Sequence, residues 1–243
     1  MNSHEILIWF IEPETIQDPA RLNRFLQWLS PEERAQHQRF RFDKHRHTYL
    51  VSHALMRGAL SLTTEAEPAQ FAFKTNAYGK PFVEAPAKSQ TINFNLSHTE
   101  GLAAIAISAN SEVGVDVENK HRQDMTQTLA EHFFAPEECQ AVAQSSEHER
   151  PTKMLEFWTL KESYIKAVGQ GLSIALDSFA FRLATATQPA SLMRLDGQGS
   201  DLDAWSFWQG QPTENHLMAL AFKSDPGKPT QVRTQRAQWL AEA

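Results

Sequence analysis

An α+β fold of two similar halves is predicted by three pairs of matched segments. Ala135-Pro136-Glu137-Glu138 answers Ser30-Pro31-Glu32-Glu33 at a spacing of 105 residues (136 against 31). Phe179-Ala180-Phe181-Arg182 answers Phe71-Ala72-Phe73-Lys74 at 108 (179 against 71), and Leu217-Met218-Ala219-Leu220-Ala221-Phe222 answers Leu102-Ala103-Ala104-Ile105-Ala106-Ile107 at 115 (217 against 102). One match between short apolar strings carries little weight. Three in the same order, at a slowly rising spacing, indicate a duplicated helix-then-strands unit. Each half, residues 1–111 and 112–243, is expected to pack helices on a small, mainly antiparallel sheet. A pseudo-twofold axis relates the two, and the cleft between them is the natural ligand site.

The elements follow from local pattern. Residues 5–11 read as a strand and 21–29 as a helix. Ser30-Pro31-Glu32-Glu33 then starts another helix, with a capping serine, a proline at the first helical position and acids in the first turn. A longer helix is expected over 43–62, strands over 71–74, 91–96, 102–108 and 112–118, and a turn at Tyr78-Gly79-Lys80-Pro81. In the second half a long helix over 152–168 takes the place of the first half's long helix.

Composition narrows the function. The 243 residues are 41% hydrophobic, enough for a substantial core, and 23 basic against 29 acidic residues leave a formal charge of −6. That balance argues against nucleic-acid binding through a global positive field, though not against a local basic pocket. A single cysteine, Cys139, excludes an intrachain disulfide and a cysteine-built zinc site. Its acidic setting, Pro136-Glu137-Glu138-Cys139, raises a thiol pKa and marks it as inert. The apolar run from Ile6 to Ile11, edged by Glu5 and Glu12, lacks the basic start and the length of a signal peptide, and no later segment reaches a membrane-spanning length. A cytoplasmic location is expected.

Five segments carry chemistry. In Val113-Gly114-Val115-Asp116-Val117-Glu118, strand alternation places Asp116 and Glu118 on one face and the valines on the other. Two neighbouring carboxylates repel unless a cation compensates, so a solvated strand face competes with a Mg²⁺ site. On the helix over 152–168, Leu155, Trp158, Glu162 and Ile165 share one stripe, with Lys166 a turn beyond Glu162. An exposed Glu–Lys pair is the ordinary reading, but a carboxylate on an apolar stripe needs a partner or a metal. The strand holding Asn95 ends in Ser97-His98, whose hydroxyl and imidazole can donate to phosphate oxygens. Gly79-Lys80-Pro81 can bring backbone and a lysine to a phosphate. The basic run Arg39, Arg41, Lys44, His45, Arg46, His47, reaching Arg57, is either a solvated helix face or a phosphate site, with Arg46 singled out for its planar fork.

Together and in this order, Gly79-Lys80-Pro81, Asn95-Leu96-Ser97-His98, Gly114-Val115-Asp116-Val117-Glu118 and Trp158-Thr159-Leu160-Lys161-Glu162-Ser163-Tyr164-Ile165-Lys166 resemble the 4′-phosphopantetheinyl transferases of the larger, surfactin-synthetase (Sfp) type. The resemblance covers about residues 30–172. It implies two α+β halves with coenzyme A between them, and Mg²⁺ held by Asp116, Glu118 and Glu162. Arg46, Lys80 and His98, with Ser97 alongside, would grip coenzyme A phosphates, and Lys161 and Lys166 would lie near the pyrophosphate. Asp116, Glu162 and Lys166 would be the catalytic residues, and Gly79, Pro81 and Asn95 would line the coenzyme A site. The implied reaction moves 4′-phosphopantetheine from coenzyme A to a serine of an apo-carrier protein and releases 3′,5′-ADP. A non-catalytic coenzyme A or carrier-protein binding module and a metal-dependent phosphoesterase are the rival readings. Two halves in one chain make a monomer the simpler arrangement.

Overall fold

The computed structural model describes residues 4–122, 125–196, 202–224, 227 and 229–242. The chain opens with β1 (Glu5–Ile11), α1 (Pro19–Trp28), α2 (Pro31–Arg39) and α3 (Asp43–Thr64). The hairpin of β2 (Ala72–Thr75) and β3 (Pro81–Ala85) follows, then β4 (Asn93–Thr99) and β5 (Leu102–Ser108). The second half runs through β6 (Val113–Asn119), α4 (Gln127–Phe133), α5 (Pro136–Ala143), α6 (Arg150–Val168), β7 (Phe179–Arg182), β8 (Ser191–Leu195), β9 (Trp205–Thr213) and β10 (His216–Lys223). β11 (Gln231–Arg236) and α7 (Gln238–Glu242) come last.

Two topologically equivalent sheets result. In one, β5 lies between β1 and β4; in the other, β10 lies between β6 and β9, all with antiparallel neighbours. Each half also carries a two-stranded hairpin, β2–β3 and β7–β8. α2 starts with the expected reciprocal cap, Ser30 to Glu33, and the start of α5 repeats its backbone half, with Ala135 N–H donating to Glu138.

Strand alternation then builds four layers. Ala103, Ile105 and Ile107 of β5 face a core with α3, while Leu102, Ala104 and Ala106 face the other sheet. On β10, Leu217, Ala219 and Ala221 face the core around α6, and Met218, Leu220 and Phe222 meet the first sheet. Val113, Val115 and Val117 of β6 join that central sheet-to-sheet core.

This layering corrects the sequence reading in several places. Leu217 faces the helix layer as Ala103 does, so the equivalence is one residue closer (217 against 103) than the string match suggests. Apolar strings on strands buried on both faces do not fix which face is which. Residues 231–242, assigned to the second half, return to the first: β11 pairs in parallel with β1, and Trp239 and Leu240 pack into the α3 core. β3, β8, β9, β11, α4 and α7 lie outside the elements that local pattern predicts. β4 runs on to Thr99, so Ser97 and His98 sit within the strand, not at its end.

Gly114 is a point of close contact between β6 and α6. A Cβ built there would overlap the Ser163 carbonyl and the backbone of Ala167, so α6 rests directly on β6 at this residue. Asp116 and Glu118, next on the same face of β6, are thereby brought against α6. Gly114→Ala is expected to force the two elements apart and lower unfolding free energy by about 1–3 kcal/mol in urea titration. A loss below about 0.5 kcal/mol, the range of an ordinary surface change, would show that this contact does not set the spacing.

Candidate active site

The site grows from a seam between two sheet edges. β4 and β6 belong to different sheets, yet polar side chains of β4 bridge them where a backbone ladder would otherwise run. Val115 N–H donates to Asn95 Oδ1 (2.9 Å), and Val117 N–H donates to Ser97 Oγ (3.4 Å). Ser97 Oγ in turn donates to Asp116 Oδ1 (3.0 Å), and Thr99 Oγ1 donates to Glu118 Oε2 (3.4 Å). The near-constant sequence offset shows that the two edges run in the same direction. Asn95, Ser97 and Thr99 occupy alternate positions, one polar edge of a strand.

α6 adds the remaining groups. Lys166 Nζ donates to Asp116 Oδ1 (2.6 Å) and Ser97 Oγ (3.1 Å). Trp158 Nε1 donates to Glu118 Oε1 (3.1 Å), which also receives the Arg122 guanidinium. Arg122 lies over the Trp158 ring at 5.4 Å from its centre. Both strand carboxylates are buried, Asp116 at 4% exposure, which rules out the solvated-face reading. Asp116 Oδ2 is buried and has no hydrogen-bond partner, and the Glu162 carboxylate makes no hydrogen bond among the described residues.

The electrostatics express this shortage of positive charge. Burial and then the Asp116 charge push Glu118 up to about 7, against Arg122, Lys166 and the Trp158 hydrogen bond. Burial and Asp116 likewise raise Glu162 above the usual carboxylate range. Burial alone would lower the Lys166 ammonium, but Asp116, with Glu162 and Glu118 behind it, holds it above its ordinary value. His98 is pushed down by the surrounding protein and by Lys166.

A cavity of about 290 Å³ opens beside these groups. Gly79, Lys80, Pro81 and Asn95 line it from the first half, and Glu162 and Lys166 from α6. Exposed Tyr78 and Leu172 also line it. The structure thus brings together Asp116, Glu118, Glu162, Lys166, Asn95, Ser97 and the Gly79–Pro81 turn, with His98 close enough to feel Lys166.

Two expectations, for Lys161 and Arg57, need correction. Lys161, expected near a pyrophosphate, is fully buried in the second half's core and ion-paired with Glu138 at 2.7 Å. It lies one residue before Glu162, so its side chain points to a different side of the helix. Arg57 is buried as well, bound to Glu33 (2.7 Å) and two carbonyls, and is not part of a basic surface. Arg46 is engaged at the start of α3, donating to Asp43 Oδ1 (2.7 Å) and Phe40 O (2.8 Å). Lys80 does reach the cavity, but its ammonium donates to Ala167 O (2.7 Å) and Val113 O (3.2 Å). Burial, opposed by Glu112, pushes it down to about 8. Cys139 is raised by burial and by Glu138 and Glu131, in keeping with an inert thiol.

Thr99 and Arg122 also touch the site, outside the segments that the sequence marks. The alternation Asn95, Ser97, Thr99 was the available signal for the first.

Comparisons with known proteins give the family. Residues 112–221 match the 4′-phosphopantetheinyl transferase superfamily, and residues 17–110 match the family described as 4′-phosphopantetheinyl transferase, N-terminal. The chain is 29% identical to the 4′-phosphopantetheinyl transferase HetI of Nostoc sp., over 90% of this chain and 88% of that protein. It is 31% identical to the 4′-phosphopantetheinyl transferase Sfp of Bacillus subtilis, over 66% of this chain and 69% of that protein. The solved holo-[acyl-carrier-protein] synthase from Neisseria meningitidis aligns with 47% of this chain and 98% of its own, at 17% identity and a TM-score of 0.40. The chain belongs to the 4′-phosphopantetheinyl transferase superfamily and is a transferase of the holo-carrier-protein synthase kind. No helix among the described residues is long and apolar enough to cross a membrane.

Lys166 is the cation paired with Asp116, so its removal has a defined consequence. Lys166→Met is expected to destabilise the metal-free protein by about 1–3 kcal/mol, because Asp116 stays buried without its partner. Thermal unfolding in EDTA measures this. An unchanged melting temperature would mean that the pair contributes nothing at the seam.

Proposed function

We propose that the chain transfers 4′-phosphopantetheine from coenzyme A to a serine of an apo-carrier protein in a Mg²⁺-dependent reaction that releases 3′,5′-ADP, and that it does so as a monomer. The observation that carries this reading is the set of buried acids at the seam, Asp116 and Glu118 on β6 and Glu162 on α6, with Glu162 lining the cavity. Both sides of that cavity come from one chain, which supports a monomer.

The donor set fits Mg²⁺ in its chemistry: three carboxylates, one with a buried oxygen that lacks a hydrogen-bond partner among the described residues. As placed, no three acids, histidines or cysteines among the described residues are gathered closely enough to enclose an ion. Lys166 and Arg122 instead occupy Asp116 Oδ1 and Glu118 Oε1. Asp116, Glu118 and Glu162 would hold the metal, which when bound would neutralise charge on the pyrophosphate and the leaving 3′,5′-ADP.

The chain's own groups then supply position and proton transfer. Lys80, His98 and the Gly79–Pro81 turn bind the phosphates of coenzyme A, and Lys166 stabilises oxygens of the phosphoryl group in flight. The carrier serine oxygen forms a bond to the phosphorus on the pantetheine side, and the bridging P–O bond to 3′,5′-ADP breaks. The serine proton passes to Glu162, directly or through a water it orients. No covalent enzyme intermediate is required, and most of the acceleration comes from positioning and electrostatics.

Mass spectrometry of apo-carrier proteins incubated with the chain, coenzyme A and Mg²⁺ tests the reading. A phosphopantetheine mass gain that disappears in EDTA is expected, and Asp116→Ala should abolish it while the fold persists. Hydrolysis of coenzyme A without carrier labelling would favour a phosphoesterase, and tight binding without turnover a binding module. Lys80→Ala and His98→Ala are expected mainly to raise the KM for coenzyme A. Unchanged coenzyme A dependence in both would mean that they do not hold it. For Glu162→Gln, kcat should fall and stay low at saturating Mg²⁺; full recovery would make it a ligand only.

A further inference from the structure

The two halves repeat one buried ion pair with nearly the same partners. In the first, Arg57 of α3 is 1% exposed. It donates to Glu33 Oε2 through Nε (3.0 Å) and a terminal nitrogen (2.7 Å), and to the carbonyls of Pro68 and Phe71 (2.9 Å each). Glu33 Oε2 also accepts from Ser30 N–H (2.8 Å). In the second, Lys161 of α6 donates to Glu138 Oε2 and to the carbonyls of Leu176 and Phe179, all at 2.7 Å. Glu138 in turn accepts from Ala135 N–H and Phe181 N–H (2.9 Å each). In both, a long helix is tied by a cation to the capping acid of the shorter helix and to the carbonyls leading into the hairpin.

What adjoins the tie differs. After Arg57 come Gly58 and Ala59, with no group at the proposed site. After Lys161 comes Glu162, and Lys166 lies little more than a turn further. We propose that Lys161 is a positioning residue: its three-point tie, with the Gly114 contact on another side of α6, fixes the rotation and height at which Glu162 and Lys166 meet β6. This rests on the transfer reaction proposed above.

Magnitudes favour a positional role over a purely stabilising one. A buried ion pair is often no more stable than well-packed apolar side chains of the same volume, so net stability alone gives little reason for the pair. Its three acceptors diverge, however, and hold one orientation. A carboxylate lies roughly 5–6 Å from a helix axis, so turning α6 by about 10° moves it by roughly 1 Å. A misplacement of that size can lower a rate by about a hundredfold.

The repeat supplies its own control. Two double variants, Lys161→Met/Glu138→Leu and Arg57→Met/Glu33→Leu, each replace one pair by apolar side chains. Melting temperature, kcat and KM for coenzyme A are measured on an apo-carrier with the full chain. The second-half variant should lose at least about tenfold in kcat at a near-normal melting temperature, while the first-half variant stays within about threefold. Should either double variant fail to fold, the charge-keeping exchanges Lys161→Arg and Arg57→Lys carry the same contrast, with loss of kcat confined to Lys161→Arg. Equal kcat in the two halves' variants, retained or lost alike, would overturn the positioning role. If the wild-type chain itself labels no carrier, the reading of the reaction fails instead, and the comparison of variants is not what failed.

Discussion

Two sheet edges that meet without a backbone ladder set the terms for everything around them. β4 and β6 lie side by side, and unpaired backbone donors at such a buried edge would be costly. Asn95 and Ser97 take up two of those donors on β6. In doing so they bring Ser97 against Asp116 and align Thr99 with Glu118. The polar groups that close the seam are therefore the ones that face the acids. Joining the halves and building the site are one structural problem with one solution.

The second constraint is the close approach of α6. Without a side chain at Gly114 the helix sits on β6, and burial together with the Asp116 charge raises Glu118 and Glu162. Among the described residues Asp116 Oδ2 is buried without a hydrogen-bond partner, which costs stability. Perturbed carboxylates of this kind at a cavity edge are the observation on which the proposed metal site rests. Lys166 offsets the Asp116 charge in part, through the same ammonium that faces the cavity.

The duplicated ion pairs show how similar chemistry can be mistaken at the level of sequence. Arg57 and Lys161 both stand in segments rich in charge, and a cation in such a run is ordinarily solvated. Each is instead among the most buried side chains of its half. What places it there is the pairing of a long helix with a capping acid more than twenty residues earlier, and no local window contains both.

By itself the sequence determined the α+β class, the duplication, the capped start of α2, and the alternation that puts Asp116 and Glu118 opposite the valines. These are local properties: periodicity, capping and order of segments follow from residues near one another in the chain. The sequence also drew attention to Glu162 and Lys166, because a carboxylate on an apolar stripe is legible from helical spacing alone. Only the tertiary structure decided which face of β5 corresponds to which face of β10, since strands buried on both sides carry no polar mark. It decided as well that β11 and α7 close the first half's core, and that Lys161 and Arg57 turn inward. That Lys80 reaches the cavity with its ammonium already bound to Ala167 and Val113 was likewise decided there. Each of these outcomes depends on partners dozens of residues away, whose distance and direction exist only once the two sheets have packed.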